Sequence, residues 1–297
     1  MEILNQAGLR HGFVGMTKPF FKWPGAKTWL VAELADVFSF KGARVVEPFA
    51  GSASFFLGSG SETALLTDNN QHVATCLQAV RDNPDAVVAR LARMSNEKNY
   101  YDTVRDQRPR SATGIAARLI FLTNTSWGGI YRENAQGRFN VPFGNNEREF
   151  CDPARIRRAS QRLKNVEIGH RSYEVALEAA KATDILFVDP PYVSHVSRSG
   201  FNRYSAALYT WQDQMKLVKI LTGKRLRGAR TLVASAAALE IYQLFPGWHA
   251  VEFNKRKSML TNRGEHGHRK EALLLSPALG ALAANLALHG HKIRRCS

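Results

Sequence analysis

Six short apolar runs constrain the fold more than any other feature of this chain: ARVVEP, TALLTD, DILFVD, RTLVAS, WHAVEFN and EALLLS. Their apolar positions are continuous rather than alternating, which marks strands covered on both faces. Helical periodicity lies between several of them, as in WQDQMKLVKILTGK. Strands of this kind alternating with helices predict an α/β protein with a mostly parallel sheet and helices on both faces.

The stretch 83–165 breaks the alternation. NPDAVVARLARMSNEKNYYDTVRDQ and SATGIAARLIFLTN read as helices, and PARIRRASQRLK as a strongly basic one. Between them, SWGGIYRENAQGRFNVPFG is rich in Gly, Asn and aromatic residues, the composition of a β-hairpin. We therefore expect one sheet-bearing unit from 18–82 and 166–276, a mostly helical insertion with a hairpin at 83–165, and a solvated, partly disordered tail at 277–297. His266 and His268, and the HGHKIRRCS end, read as loop or tail residues rather than metal ligands, so no metal is expected.

The charge is far from balanced: 41 Lys and Arg against 25 acids give a net +16. Such an excess points to an anionic polymer, nucleic acid before an acidic membrane. Cys76, Cys151 and Cys296 are widely spaced, with no CxxC pair, which excludes a disulfide framework or zinc site and fits a reducing cytoplasm. The most apolar stretch, ALLLSPALGALAANLAL, is interrupted by Pro277 and Asn285. It falls short of the roughly 20 residues of a spanning helix, and the N-terminus has no apolar signal core, so no membrane partner is expected.

Two strand exits carry the chemistry. EPFAGSAS follows the first strand with a Gly/Ser turn and opens a helix, so that a ligand could approach the backbone at Ala50, Gly51 and Ser52, at the carboxyl end of the sheet where ligands of such folds bind. Asp68 ends the next strand and suits ribose hydroxyls; neither GxGxxG nor GxxxxGK[ST] is present, which disfavours a pyrophosphate. At DPPY, Asp189 supplies a carboxylate, Pro190 a backbone carbonyl with no N–H beside it, and Tyr192 a flat face. Two acceptors and a platform suit a planar base bearing an amino group. Gripping that group localises its lone pair and stabilises the charge developing on nitrogen during attack. A rigid turn with a packed Tyr would explain the tetrapeptide as well. Upstream, FFKWPGAK sets Trp23 and Lys27 beside a Gly turn, where they could stack on a cofactor base and meet a carboxylate; an amphipathic N-terminal segment would explain the stretch equally well.

In this order, FKWPGAK, EPFAGSAS, TDNN, GGIYRENAQGRFNVPFG and DPPY resemble the DNA adenine methyltransferases of the Dam type, over roughly residues 18 to 276. The resemblance implies a Rossmann-like methyltransferase sheet and transfer of methyl from S-adenosylmethionine (AdoMet) to the amino group of adenine in double-stranded DNA. It implies cofactor contacts at Trp23, Lys27, Glu47, Phe49, Gly51, Asp68 and Asp189, with Asp189, Pro190 and Tyr192 catalytic. It implies DNA contacts at Lys22, Trp127, Ile130, Arg132, Asn140 and Pro142, and the basic helix adds Arg157 and Arg158, beside Arg155, Arg162 and Lys164, as phosphate contacts. Phe201 and Tyr204 are candidates to close the pocket. Ala53 stands where many members carry a second Gly, and Gly128 where members specific for GATC often carry an Asn, so GATC is a candidate target only. The competing readings are an RNA adenine methyltransferase with the same chemistry and a catalytically silent DNA-binding relative. The expected location is the cytoplasm of a prokaryotic or phage-infected cell, with a cognate restriction endonuclease as partner, or none.

Overall fold

The structure is a computed structural model that describes residues 17–35, 37–144, 149–193, 209–254 and 270–297. Phe201, Tyr204, His266 and His268 lie outside the described residues. Eight strands form one sheet: β1 (Arg44–Glu47), β2 (Thr63–Asp68), β3 (Val166–His170), β4 (Ile185–Val188), β5 (Arg230–Ala236), β6 (His249–Asn254), β7 (Lys270–Leu275) and β8 (Lys292–Arg295). Their order is β3-β2-β1-β4-β5-β7-β6-β8. The first five positions are parallel, and β7, β6 and β8 close the far side antiparallel.

Neighbouring residues of each inner strand feed opposite cores, as the continuous apolar runs require. Val45, Leu66, Ile185 and Leu232 point to one cluster, and Val46, Leu65, Leu186 and Val233 to the other. The first cluster is covered by α1 (Thr28–Leu34), α2 (Ser54–Ser59), α3 (Gln71–Asp82), α4 (Pro84–Leu91), α5 (Lys98–Asp106), α6 (Ala112–Thr125), α7 (Pro153–Leu163) and α11 (Gly280–Leu288). The second is covered by α8 (Tyr173–Glu178), α9 (Trp211–Thr222) and α10 (Leu239–Tyr242). Helix starts follow the capping residues: Asn70 Oδ1 accepts from the His72 amide at 2.9 Å, and Thr210 and Asp213 form a capping box. Helices α4–α7 share their core with α3 and the sheet.

Two strands are not among the six expected. In β3, VEIGH buries Val166, Ile168 and Gly169 but exposes Glu167 and His170, so its apolar signal is thin. β8 belongs to residues 277–297, expected as a partly disordered tail. Instead a short turn leads into α11, which buries Leu282, Ala283 and Leu286, and β8 pairs with β6. Only Ile293 is apolar in KIRR, so local sequence gives no strand signal; the pairing is supplied by a partner about 40 residues away in β6.

Candidate active site

The sheet order reverses at β1, with β2 on one side and β4 on the other, and this crevice is where open α/β sheets receive ligands. The turn after β1 crosses it. Gly51 has φ +49°, and a Cβ there would come within 2.5 Å of the Trp23 ring, so only glycine lets this indole lie over the turn. Ala53 follows at φ +52°, a left-handed conformation that costs an alanine about 1–2 kcal/mol.

Asp68, at the end of β2, accepts from the Gly51 amide at 2.9 Å and the Asn70 amide at 2.8 Å. Burial raises its pKa, and these two N–H groups oppose the rise. The two bonds engage one acceptor site on each oxygen of a carboxylate that offers about four. Residues of this kind fit a nucleoside: an acidic acceptor at a strand end, beside a turn over which an aromatic plane lies.

Asp189 leaves β4 in the same crevice. Lys27 Nζ donates to both of its oxygens at 2.8 Å, and to the Gly25 carbonyl at 2.7 Å. Pro190 is buried, and the Tyr192 ring lies 5.2 Å from Lys27 Nζ. Trp23, Lys27, Gly51, Asp68, Asp189, Pro190 and Tyr192 are thus brought together.

Two expected cofactor contacts have other partners. Glu47 is 2% exposed, and its Oε1 accepts from the Phe56 amide at 2.7 Å in the first turn of α2. Burial is the main cause that pushes its pKa up to about 8; the Phe56 amide opposes this and the negative Asp189 adds to it. Phe49 stacks on Tyr173 at 5.4 Å and meets Tyr209 edge-on at 5.9 Å, on the α8–α9 side. Glu47 carries a pH prediction. A carboxyl that titrates near 4.5 unfolded and near 8 folded stabilises fully below 4.5, and the contribution is lost as pH rises through 8. Relative to Glu47→Gln, the native chain is expected to lose about 1.4 kcal/mol per pH unit across that window and to level off above it. Urea unfolding of both chains from pH 5 to pH 9 checks this; parallel curves would refute it.

The hairpin region adjoins the crevice through the N-terminal segment. Glu133 bridges Phe139, Ser126 bridges Phe143, and the Asn140 amide donates to the Arg132 carbonyl at 3.1 Å. The arms are isolated bridges rather than strands. Tyr131 packs on Trp23 at 4.8 Å, and a Cβ at Gly129 (φ +65°) would overlap the Lys22 side chain. Trp127 is 51% exposed beside exposed Gly128, Arg132 and Pro142, with Ile130 and Asn140 half-buried behind them. Arg132 Nε donates to Asn140 Oδ1 at 2.8 Å, which orients the guanidinium.

The basic helix is elsewhere. In α7, Arg162 donates to the Ser61 carbonyl at 2.6 Å, just before β2, and Arg157 pairs with Asp85 at 2.8 Å. Arg155 pairs with Asp152, the residue that caps α7. Ser61 in turn donates to the Ala43 carbonyl before β1, so this is the amino end of the strands, opposite Asp68 and Asp189. Arg157 and Arg158 are exposed.

Sheet order and crevice together define a methyltransferase-type α/β fold. A family model described as D12 class N6 adenine-specific DNA methyltransferase matches residues 23–259, and the chain belongs to that family. It is 27% identical to the Type II methyltransferase M1.LlaDCHI of Lactococcus lactis subsp. cremoris, over 77% of this chain and 85% of that one. It is 26% identical to the Type II methyltransferase M.MjaIII of Methanocaldococcus jannaschii, over 84% of this chain and 94% of that one. It is 24% identical to a DNA adenine methylase of Escherichia coli, over 87% and 95% respectively. The family implies AdoMet as methyl donor. Among the described residues no helix is long and apolar enough to cross a membrane, and no group of three or more His, Cys, Asp or Glu could hold a metal.

Proposed function

We propose that this chain methylates the exocyclic amino group of an adenine swung out of duplex DNA, at a specific short sequence for which GATC is the candidate. The observation that carries the reading is Asp189, clamped at the exit of β4 beside Tyr192 and at the same sheet end as Asp68. AdoMet supplies an electrophilic methyl group on a sulfonium. The protein's task is to align and to exclude water. Asp68 holds the cofactor's ribose, and Trp23 lies against its base. The Asp189 carboxylate and the Pro190 carbonyl grip the two hydrogens of the amine, and Tyr192 stacks on the adenine.

A paired base cannot reach this crevice inside a duplex, so it is flipped out at a cost of a few kcal/mol. Trp127, exposed at the head of the hairpin, fills the gap. Lys22, Ile130, Arg132, Asn140 and Pro142 line the surface that meets the groove. The proposed setting is the cytoplasm; the presence of a cognate restriction endonuclease is left open.

The test is methyl transfer from labelled AdoMet to unmethylated duplex DNA and to structured RNA, followed by mapping of modified adenines. Site-specific N6-methyladenine in duplex DNA is expected. Transfer to RNA alone, or to no nucleic acid, would overturn the reading.

A further inference from the structure

Lysine is almost never fully buried unless its charge is satisfied, yet Lys27 is 2% exposed. An ammonium has three protons. Here three oxygens lie within hydrogen-bond distance of Nζ: the Gly25 carbonyl, Asp189 Oδ1 and Asp189 Oδ2, at 2.7, 2.8 and 2.8 Å. The Tyr192 ring, 5.2 Å from Nζ, is within cation–π range. The backbone is held as firmly: the Lys27 amide donates to Ser54 Oγ at 3.0 Å, and its carbonyl accepts from Leu30 at 3.0 Å in α1. One immobile cation therefore touches the first and fourth residues of DPPY, across 162 positions of sequence.

We infer that Lys27 is a positioning residue for the transfer step, fixing the Asp189 carboxylate and the Tyr192 ring against the incoming base, rather than a contact for the cofactor's carboxylate. A cofactor contact would have to compete with three oxygens that the chain itself already sets around this ammonium. A lysine serving only to hold the cofactor would also have no reason to chelate both oxygens of the acid that receives the amine. The inference rests on the catalytic reading of Asp189 given above.

Lys27→Met, Lys27→Arg, Asp189→Asn and the Lys27→Met/Asp189→Asn pair separate the possibilities. For each, AdoMet affinity is measured by calorimetry and single-turnover methylation at saturating AdoMet and DNA. Misplacement by about 1 Å can cost on the order of 10²-fold, so Lys27→Met is expected to lower the saturated rate by ~10²-fold while AdoMet affinity moves less than ~3-fold. In the Asp189→Asn background it should add less than ~3-fold, because residues acting as a unit are not additive. Lys27→Arg keeps the charge in a different fork and should recover part of the rate. A saturated rate within ~3-fold of wild type, or a full multiplicative loss in the Asp189→Asn background, overturns the inference. If Lys27→Met does not fold, Lys27→Arg decides: a normal saturated rate with weakened AdoMet binding makes Lys27 a cofactor contact. Wild-type turnover in Asp189→Asn would instead sink the catalytic reading itself.

Discussion

Asp189→Ala is expected to lower methyl transfer by at least about 10²–10³-fold while DNA binding survives. The carboxylate is an acceptor aimed at charge that develops only during attack, so its loss falls on the chemical step and not on association. The structure adds a second effect. Removing this carboxylate strands the Lys27 ammonium, whose side chain is 3% exposed, and breaking a buried pair from one side costs about 3–5 kcal/mol. The alanine variant should therefore melt earlier as well as lose activity. Asp189→Asn, which keeps an oxygen for Lys27, should be the more stable of the two while still slow. Single-turnover rates and thermal melts of both variants check the pair of effects. Near-wild-type turnover in either would remove Asp189 from the mechanism.

The second large effect is on sequence choice. Arg132 is exposed on the hairpin, and its Nε is committed to Asn140 Oδ1 at 2.8 Å. That bond orients the guanidinium plane, and a guanidinium presented edge-on can hold guanine through two parallel hydrogen bonds worth about 1–3 kcal/mol of discrimination. Arg132→Ala is expected to relax selection at one base pair, cutting the cognate rate by roughly 5- to 150-fold relative to the site altered at that pair. Asn140→Ala should produce a weaker form of the same change. Arg157 is the control: it pairs with Asp85 at the opposite end of the sheet, so Arg157→Ala should leave sequence choice unaltered. Methylation rates over oligonucleotides varied one position at a time provide the measurement. A uniform loss across all sites for Arg132→Ala would place the readout elsewhere.

What the sequence revealed of this site follows from where information is local. Continuous apolar runs ending in Asp68 or Asp189, and the glycine turn at Gly51, are written in a few adjacent residues, and the structure brings them together. The Lys27–Asp189 clamp was half legible. A lysine beside a glycine turn suggested a carboxylate, but nothing local says that the carboxylate lies 162 positions away in the same chain. Glu47 was legible only in part: the sequence shows an acid at a strand end, but not that its Oε1 accepts from the Phe56 amide. Tyr131 and Gly129, which join the hairpin to Trp23 and Lys22, carried no signal of their own, because an aromatic and a glycine in such a loop are unremarkable until their neighbours are known.

The last strand of the sheet bears on how the folded chain avoids its own kind. β6 would otherwise present an open row of amide and carbonyl groups, the template on which sheets join edge to edge. β8 covers that row with a four-residue strand reading KIRR, three of whose residues are cations. A short edge bearing like charges repels a second copy of itself, and Arg294 is retained by an ion pair with Glu252 at 2.8 Å. A chain ending at Ser276 would expose both the β6 edge and the apolar surface now covered by Leu279, Leu282 and Leu286. Light scattering should find such a chain self-associating at concentrations where the chain that continues to Ser297 remains monodisperse.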